Sequence, residues 1–100
     1  MVRIISASEF DEAVRNKSSK VFVVFSNGAG LCNRMLEQVA KTGIDTCMLY
    51  TSNRDNREIM SEFDFQRPPL TVYFEDGIYK SQWTGFMQSH TIKSYFKTEE

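Results

Sequence analysis

Sulfur and imidazole are scarce in this chain, whose 100 residues hold two cysteines, Cys32 and Cys47, and one histidine, His90. Two cysteines cannot build a disulfide framework, and with His90 they fall one ligand short of a closed zinc site. Long apolar runs are missing as well: no stretch approaches the ~20 residues of a membrane span. The opening residues MVRIISASEF lack the basic, apolar and small-residue succession of a secretory signal. These absences predict a cytoplasmic protein with no metal, no cofactor and no membrane partner. Charge of one sign is also lacking. Twelve Lys and Arg stand against thirteen Asp and Glu, for a formal net charge of -1, and the basic residues are scattered. That pattern offers no footprint for a phosphate backbone, so nucleic acid is not an expected partner.

What is present is the composition of one small globular domain over residues 1–100, since 41% hydrophobic and 25% charged residues leave no room for a disordered class. A chain of this length buries only about 60–65% of its unfolded surface, which excludes a large multi-step enzyme. No Pro/Ser-rich linker or internal repeat divides it. Arg3-Ile4-Ile5 reads as a short strand, and Ser6 with Glu9 forms a capping box for a helix whose apolar stripe is Phe10, Ala13 and Val14. Val21-Phe22-Val23-Val24-Phe25 is an unbroken run of β-branched and aromatic residues, as expected of a central strand covered on both faces. The small residues Ser26 to Gly30 turn into a helix carrying Met35, Leu36, Val39 and Ala40, closed by Lys41 and Gly43. Thr46 to Tyr50 is a further buried strand, and Asn53 or Asp55 caps a short helix bearing Ile59, Met60 and Phe63.

After Pro68-Pro69 the chain changes character. Leu70 to Glu75 and Ile78 to Trp83 flank Asp76-Gly77, the signature of a hairpin with a type I′ turn, and a last helix from about Ser89 is expected to bury Ile92, Tyr95 and Phe96. The order β-α-β-α-β-α-β-β-α predicts an α/β fold. Right-handed crossovers make the first three strands parallel, the hairpin adds antiparallel ones, and helices cover both faces of the mixed sheet.

That order and several short motifs resemble thioredoxin from Ile5 to Phe96. The stretch Gly28-Ala29-Gly30-Leu31-Cys32 resembles the family's Trp-Cys-Gly-Pro-Cys, with Gly30 and Cys32 matching; Pro69-Leu70-Thr71 and the strand after it resemble the family's cis-proline loop. Gly77 and Gly85 fall where the family places its hairpin glycine and the glycine beside its substrate groove. The resemblance implies a thioredoxin-like fold and a groove in which Gly28 to Leu31, Pro68-Pro69-Leu70 and Gly85-Phe86 receive another protein or an extended peptide. Leu31, Leu70 and Phe86 would form its apolar patch. Pro68 has no N–H, so one strand-type hydrogen bond to such a peptide is lost.

Departures from the pattern carry the chemistry. Ala29 stands where the attacking cysteine belongs, Gly28 replaces the flanking tryptophan and Leu31 the motif proline. The loop is one residue short, Val24 takes the place of a buried carboxylate, and the lysine expected on the third strand is absent. Thiol-disulfide exchange needs a thiolate, which the dipole of a helix N-terminus favours at an exposed position. Ala29 has no attacking atom, and Cys32, one turn inward, is expected to be a half-buried remnant. The leading expectation is therefore a redox-degenerate thioredoxin-like protein that acts by binding another protein. The alternatives are single-thiol exchange at Cys32 assisted by an external thiol such as glutathione, or a dithiol enzyme whose cysteine has been replaced by Ala29. Cys47, within an apolar strand, reads as a small hydrophobe, His90 as an exposed residue at a helix start, and the methionines as core filler.

Overall fold

The computed structural model describes residues 2–98. Its centre is one five-stranded sheet built from β1 (Val2–Ile4), β2 (Lys20–Ser26), β3 (Asp45–Tyr50), β4 (Leu70–Glu75) and β5 (Ile78–Thr84), in the spatial order β1-β3-β2-β4-β5. The parallel pairs β1–β3 and β2–β3 and the antiparallel pairs β2–β4 and β4–β5 make it the mixed sheet expected from the element order. β2 lies in the middle, and its residues from Val21 to Ser26 are all buried. An unalternating apolar strand is stable only there, where both of its faces are covered.

Alternate residues of β2 supply two cores. Val21, Val23 and Phe25 face Phe10, Val14, Cys47, Leu49, Phe63, Leu70, Val72 and Phe74. Phe22 and Val24 face the opposite way, toward Met35 and Val39 of α1 (Gly30–Ala40) and Ile92 and Phe96 of α3 (Ser89–Phe96). Thus α1 and α3 cover one face, and the N-terminal helical turns and α2 (Arg57–Glu62) cover the other.

The N-terminal turns differ from the regular helix that Phe10, Ala13 and Val14 suggested. A 3₁₀ turn at Ala7–Glu9 leads into a widened turn at Asp11–Arg15, with the Asn16 N–H donating to the Asp11 carbonyl at 2.8 Å. The widening keeps all three apolar residues buried within two turns. Ser6 donates its N–H to Glu9 Oε1 at 2.9 Å, the carboxylate half of the expected box. Asn53 caps the 3₁₀ turn Arg54–Asn56 that leads into α2, its Oδ1 accepting from the Asp55 N–H at 2.9 Å, whereas α2 itself begins after Asn56 without a side-chain cap.

Asp76 and Gly77 have φ of 55° and 78°, the two positive values that define a type I′ turn. At Gly77 the requirement is also steric, because a Cβ there would lie 2.2 Å from the Arg15 carbonyl oxygen. The hairpin carries a bulge: Tyr73 pairs with Ser81 and Phe74 with Tyr79, so Lys80 is the extra residue on β5. No helix among the described residues is long and apolar enough to cross a membrane.

Candidate functional site

One end of the sheet gathers the residues singled out by sequence. β2 runs parallel to β3 and antiparallel to β4, so the C-terminal ends of β2, β3 and β5 and the start of β4 share that edge, with Phe25 opposite Leu70 and Leu70 opposite Thr84. The Pro68–Pro69 peptide bond is cis. The Gly85 N–H donates to the Pro69 carbonyl at 2.9 Å, so the proline loop and the Gly85-Phe86 segment are joined directly.

The loop from β2 to α1 is held by its own polar side chains. Ser26 Oγ accepts from the Gly28 N–H and Asn27 Oδ1 from the Ala29 N–H, both at 2.9 Å, the short-range bonds that let Ser and Asn replace regular backbone pairing in turns. Gly28 takes φ 81°, and a Cβ on it would sit 3.4 Å from the ring of Tyr50 at the end of β3. Ala29 is the N-cap of α1, with extended φ −115° and ψ 170°, and offers no side-chain hydrogen bond. Its carbonyl accepts from the Asn33 N–H at 3.1 Å. With no acidic residue in the first turn, the positive end of the α1 dipole opens toward solvent over a methyl group.

Cys32 lies one turn inside. It is 2% exposed and shares the buried stripe of α1 with Met35 and Val39. The thiol is therefore deeper than the half-buried position expected, because α1 docks this face onto β2. Val24, which the resemblance sets in the place of a buried carboxylate, is fully buried beneath α1 and pairs in register with Thr71, whose Oγ1 has no hydrogen-bond partner among the described residues.

Cys47 belongs to the core on the opposite face of the sheet from α1, so the sheet stands between the two free thiols. Burial pushes the Cys47 thiol above its ordinary value, while the guanidinium of Arg3, with Nη2 at 3.8 Å from Sγ, partly offsets this. His90 is exposed on the first turn of α3. Met35 and Met48 are buried and Met60 packs against the core, as gap-filling methionines should.

The apolar patch needs correction. Leu31 and Phe86 are exposed at 49% and 39%, but Leu70 is 1% exposed, as the first residue of β4 packed with Phe25 in the core. Pro69 is buried, Pro68 is half-buried, and Gly28 and Gly30 are exposed. Tyr95 reverses in the other sense: expected inside, it is 44% exposed and meets Trp83 edge to face at 5.3 Å between ring centroids. Trp83 and Tyr50, 37% and 38% exposed, are further surface aromatics, to which the sequence assigned no surface position. The signal for Trp83 was its strand position on the α3 face, and for Tyr50 its place at the last residue of a buried run.

The architecture is that of the thioredoxin-like fold: the mixed sheet, the helix that begins after β2 and the proline loop joined to Gly85 are all in place. The chain is similar to a thioredoxin of Mycoplasmoides gallisepticum, 24% identical over 100 residues that span 97% of this chain and 100% of that protein. In structure it is similar to the thioredoxin of Fasciola hepatica, with a TM-score of 0.76 and 15% identity over 98% of this chain and 99% of that one. No family model matches the chain.

Proposed function

We propose that this thioredoxin-like protein is redox-degenerate and acts by binding another protein, or an extended peptide, at the surface formed by Gly28 to Leu31, Pro68-Pro69 and Gly85-Phe86. The observation that carries the reading is the contrast at the start of α1: Ala29 is exposed and has no nucleophilic atom, and the sulfur of Cys32 is buried one turn further in. In thiol-disulfide exchange a thiolate attacks a disulfide sulfur, the displaced sulfur leaves as thiolate, and a second thiol resolves the mixed disulfide. Position 29 supplies no first step and Cys47, across the sheet, no last one. The same burial weighs against single-thiol exchange at Cys32 with an external thiol such as glutathione. Two free buried thiols agree with a reducing, cytoplasmic setting.

Dithiothreitol-driven reduction of insulin disulfides tests this reading. Addition of the protein leaves the rate at that of dithiothreitol alone; multiple turnovers per chain above that background overturn it.

A further inference from the structure

The loop from β2 to α1 carries a reactive pair that thiol chemistry does not involve. Asn27-Gly28 is exposed there, after the last residue of β2 and before the first of α1. The chain's other asparagines, Asn16, Asn33, Asn53 and Asn56, are each followed by lysine or arginine. An asparagine amide carbon lies one ring closure away from the backbone nitrogen of the next residue, and that residue's side chain ordinarily obstructs the approach. Gly28 has no Cβ to obstruct it.

Two hydrogen bonds prepare the groups that would react. Asn27 Oδ1 accepts from the Ala29 N–H at 2.9 Å. That N–H belongs to the N-cap of α1, at the positive end of the helix dipole, with no acidic residue in the first turn to offset it. When a nucleophile adds to Cγ, negative charge develops on Oδ1. A fixed donor already stands where that oxyanion forms. The attacking nitrogen is not tied into the sheet: the Gly28 N–H donates to Ser26 Oγ at 2.9 Å, so freeing it breaks no bond of the β2–β3 ladder. Asp76-Gly77 is the contrasting pair. Its Asp76 N–H donates to the Ser19 carbonyl at 3.1 Å, Gly77 is packed against the Arg15 carbonyl, and an ionised carboxylate is a poorer electrophile than an amide.

We infer that Asn27 is a self-modification site, at which the chain converts the asparagine before α1 into aspartate and isoaspartate. The Gly28 nitrogen gives its proton to hydroxide and bonds to Cγ of Asn27. The Cγ–Nδ2 bond then breaks, and Nδ2 takes a proton from water and leaves as ammonia. A water molecule opens the resulting succinimide. Opening at Cγ gives aspartate; opening at the backbone carbonyl carbon gives isoaspartate, with the main chain routed through Cβ and Cγ. Nothing is oxidised or reduced, and water is the co-reactant. Aspartate retains an acceptor for the Ala29 N–H and adds a negative charge at the start of α1. Isoaspartate lengthens the loop by a methylene and hangs its carboxylate on Cα. The site goes beyond the docking reading and stands whether or not a partner binds there.

The purified native protein is incubated in warm, mildly alkaline buffer, alone and in guanidinium chloride, and sampled for peptide mapping by mass spectrometry. Isoaspartate is counted by methyl transfer from S-adenosylmethionine with an isoaspartate methyltransferase. In the folded chain Asn27 is expected to exchange amide for carboxylate at least about tenfold faster than any other asparagine, and no more than about tenfold slower than in the unfolded chain. Both products appear, with release of ammonia. Gly28→Ala slows the reaction at least about tenfold in guanidinium chloride as well, where folding of the variant does not enter. A smaller lead over the other asparagines, a folded rate below that limit, or an undiminished rate in Gly28→Ala overturns the inference. Insulin turnover by the native protein would strike the redox reading alone.

Discussion

The amide of Gly85 reaches the carbonyl of Pro69 at 2.9 Å, and that bond fixes the end of the hairpin against the proline loop beside the start of α1. Under the proposed reading, it accounts for how the surface around Ala29 is held without a nucleophile at that position. The scaffold that presents it is set by backbone pairing of β2, β4 and β5 and by the loop bonds of Ser26 and Asn27, none of which involves a sulfur atom. The two halves of the proposal, absence of thiol chemistry and presence of a binding surface, are therefore physically compatible.

Two glycines separate steric need from absence of need. At Gly77 both a positive φ and a 2.2 Å approach to the Arg15 carbonyl oppose a side chain, whereas a Cβ on Gly30 meets nothing within 4 Å. Gly77→Ala should lower the unfolding free energy by at least about 2 kcal/mol, from left-handed strain and the backbone clash together. Gly30→Ala, in the first turn of α1, should be neutral or raise it by up to about 1 kcal/mol. Urea denaturation of both variants checks the pair.

Native thiols should be hard to reach. Cys32 and Cys47 are both buried, so labelling by an aromatic disulfide reagent should require local opening. Two thiols per chain react at once in guanidinium chloride, but in the native state both are slowed on the order of 100-fold or more relative to an exposed thiol, corresponding to an opening free energy of about 3 kcal/mol. A fast-reacting native thiol would identify Cys32 as accessible after all.

Alkaline pH should destabilise the fold through Cys47. Burial raises its folded value above the unfolded one, so the unfolded chain loses this proton first as pH rises. The stability contributed by the neutral thiol is complete below the unfolded thiol value, falls above it, and is exhausted once pH passes the folded value. Chemical denaturation of the native protein and of Cys47→Ala at a series of pH values should show a steeper alkaline loss for the native chain. Parallel curves would mean that Cys47 titrates alike in both states.

Docking of α1 onto the sheet rests largely on Met35, fully buried against the core that holds Phe22, Val24 and Tyr73. Met35→Ala should cost about 2–5 kcal/mol, the range for deleting a long buried side chain. It should also increase the labelling rate of Cys32, one turn away on the same stripe, more than that of Cys47. Equal acceleration of both thiols would instead indicate global unfolding.

Much of this was legible in the sequence for physical reasons. The run Val21 to Phe25 allowed only a strand covered on both faces, and Asp76-Gly77 between two apolar runs allowed little but a hairpin turn. Ala29 at the helix start followed from the small-residue turn before Leu31. What failed depended on neighbours in space. Leu70 was placed in the apolar patch by the resemblance of the proline loop to a substrate groove, but its side chain is set by the pleat of β4, which turns it inward beside Phe25. Tyr95 was placed inside because it lies three residues after Ile92. In α3 the stripe Ile92 and Phe96 meets the sheet, while Tyr95 and Trp83 meet on a flank that stays exposed among the described residues. The bulge at Lys80 leaves no mark in local composition, since any polar residue fits the extra position.

The central claim, that position 29 is where the attacking sulfur is missing, is tested most directly by Ala29→Cys. Insulin reduction driven by dithiothreitol is measured for the native and variant chains, and mass spectrometry after mild oxidation with glutathione disulfide reports intramolecular pairing with Cys32. The native chain is predicted to stay at the dithiothreitol background, and the variant to form that pair and reduce insulin above background. Turnover by the native chain, or a variant whose new thiol never pairs with Cys32, would contradict the account.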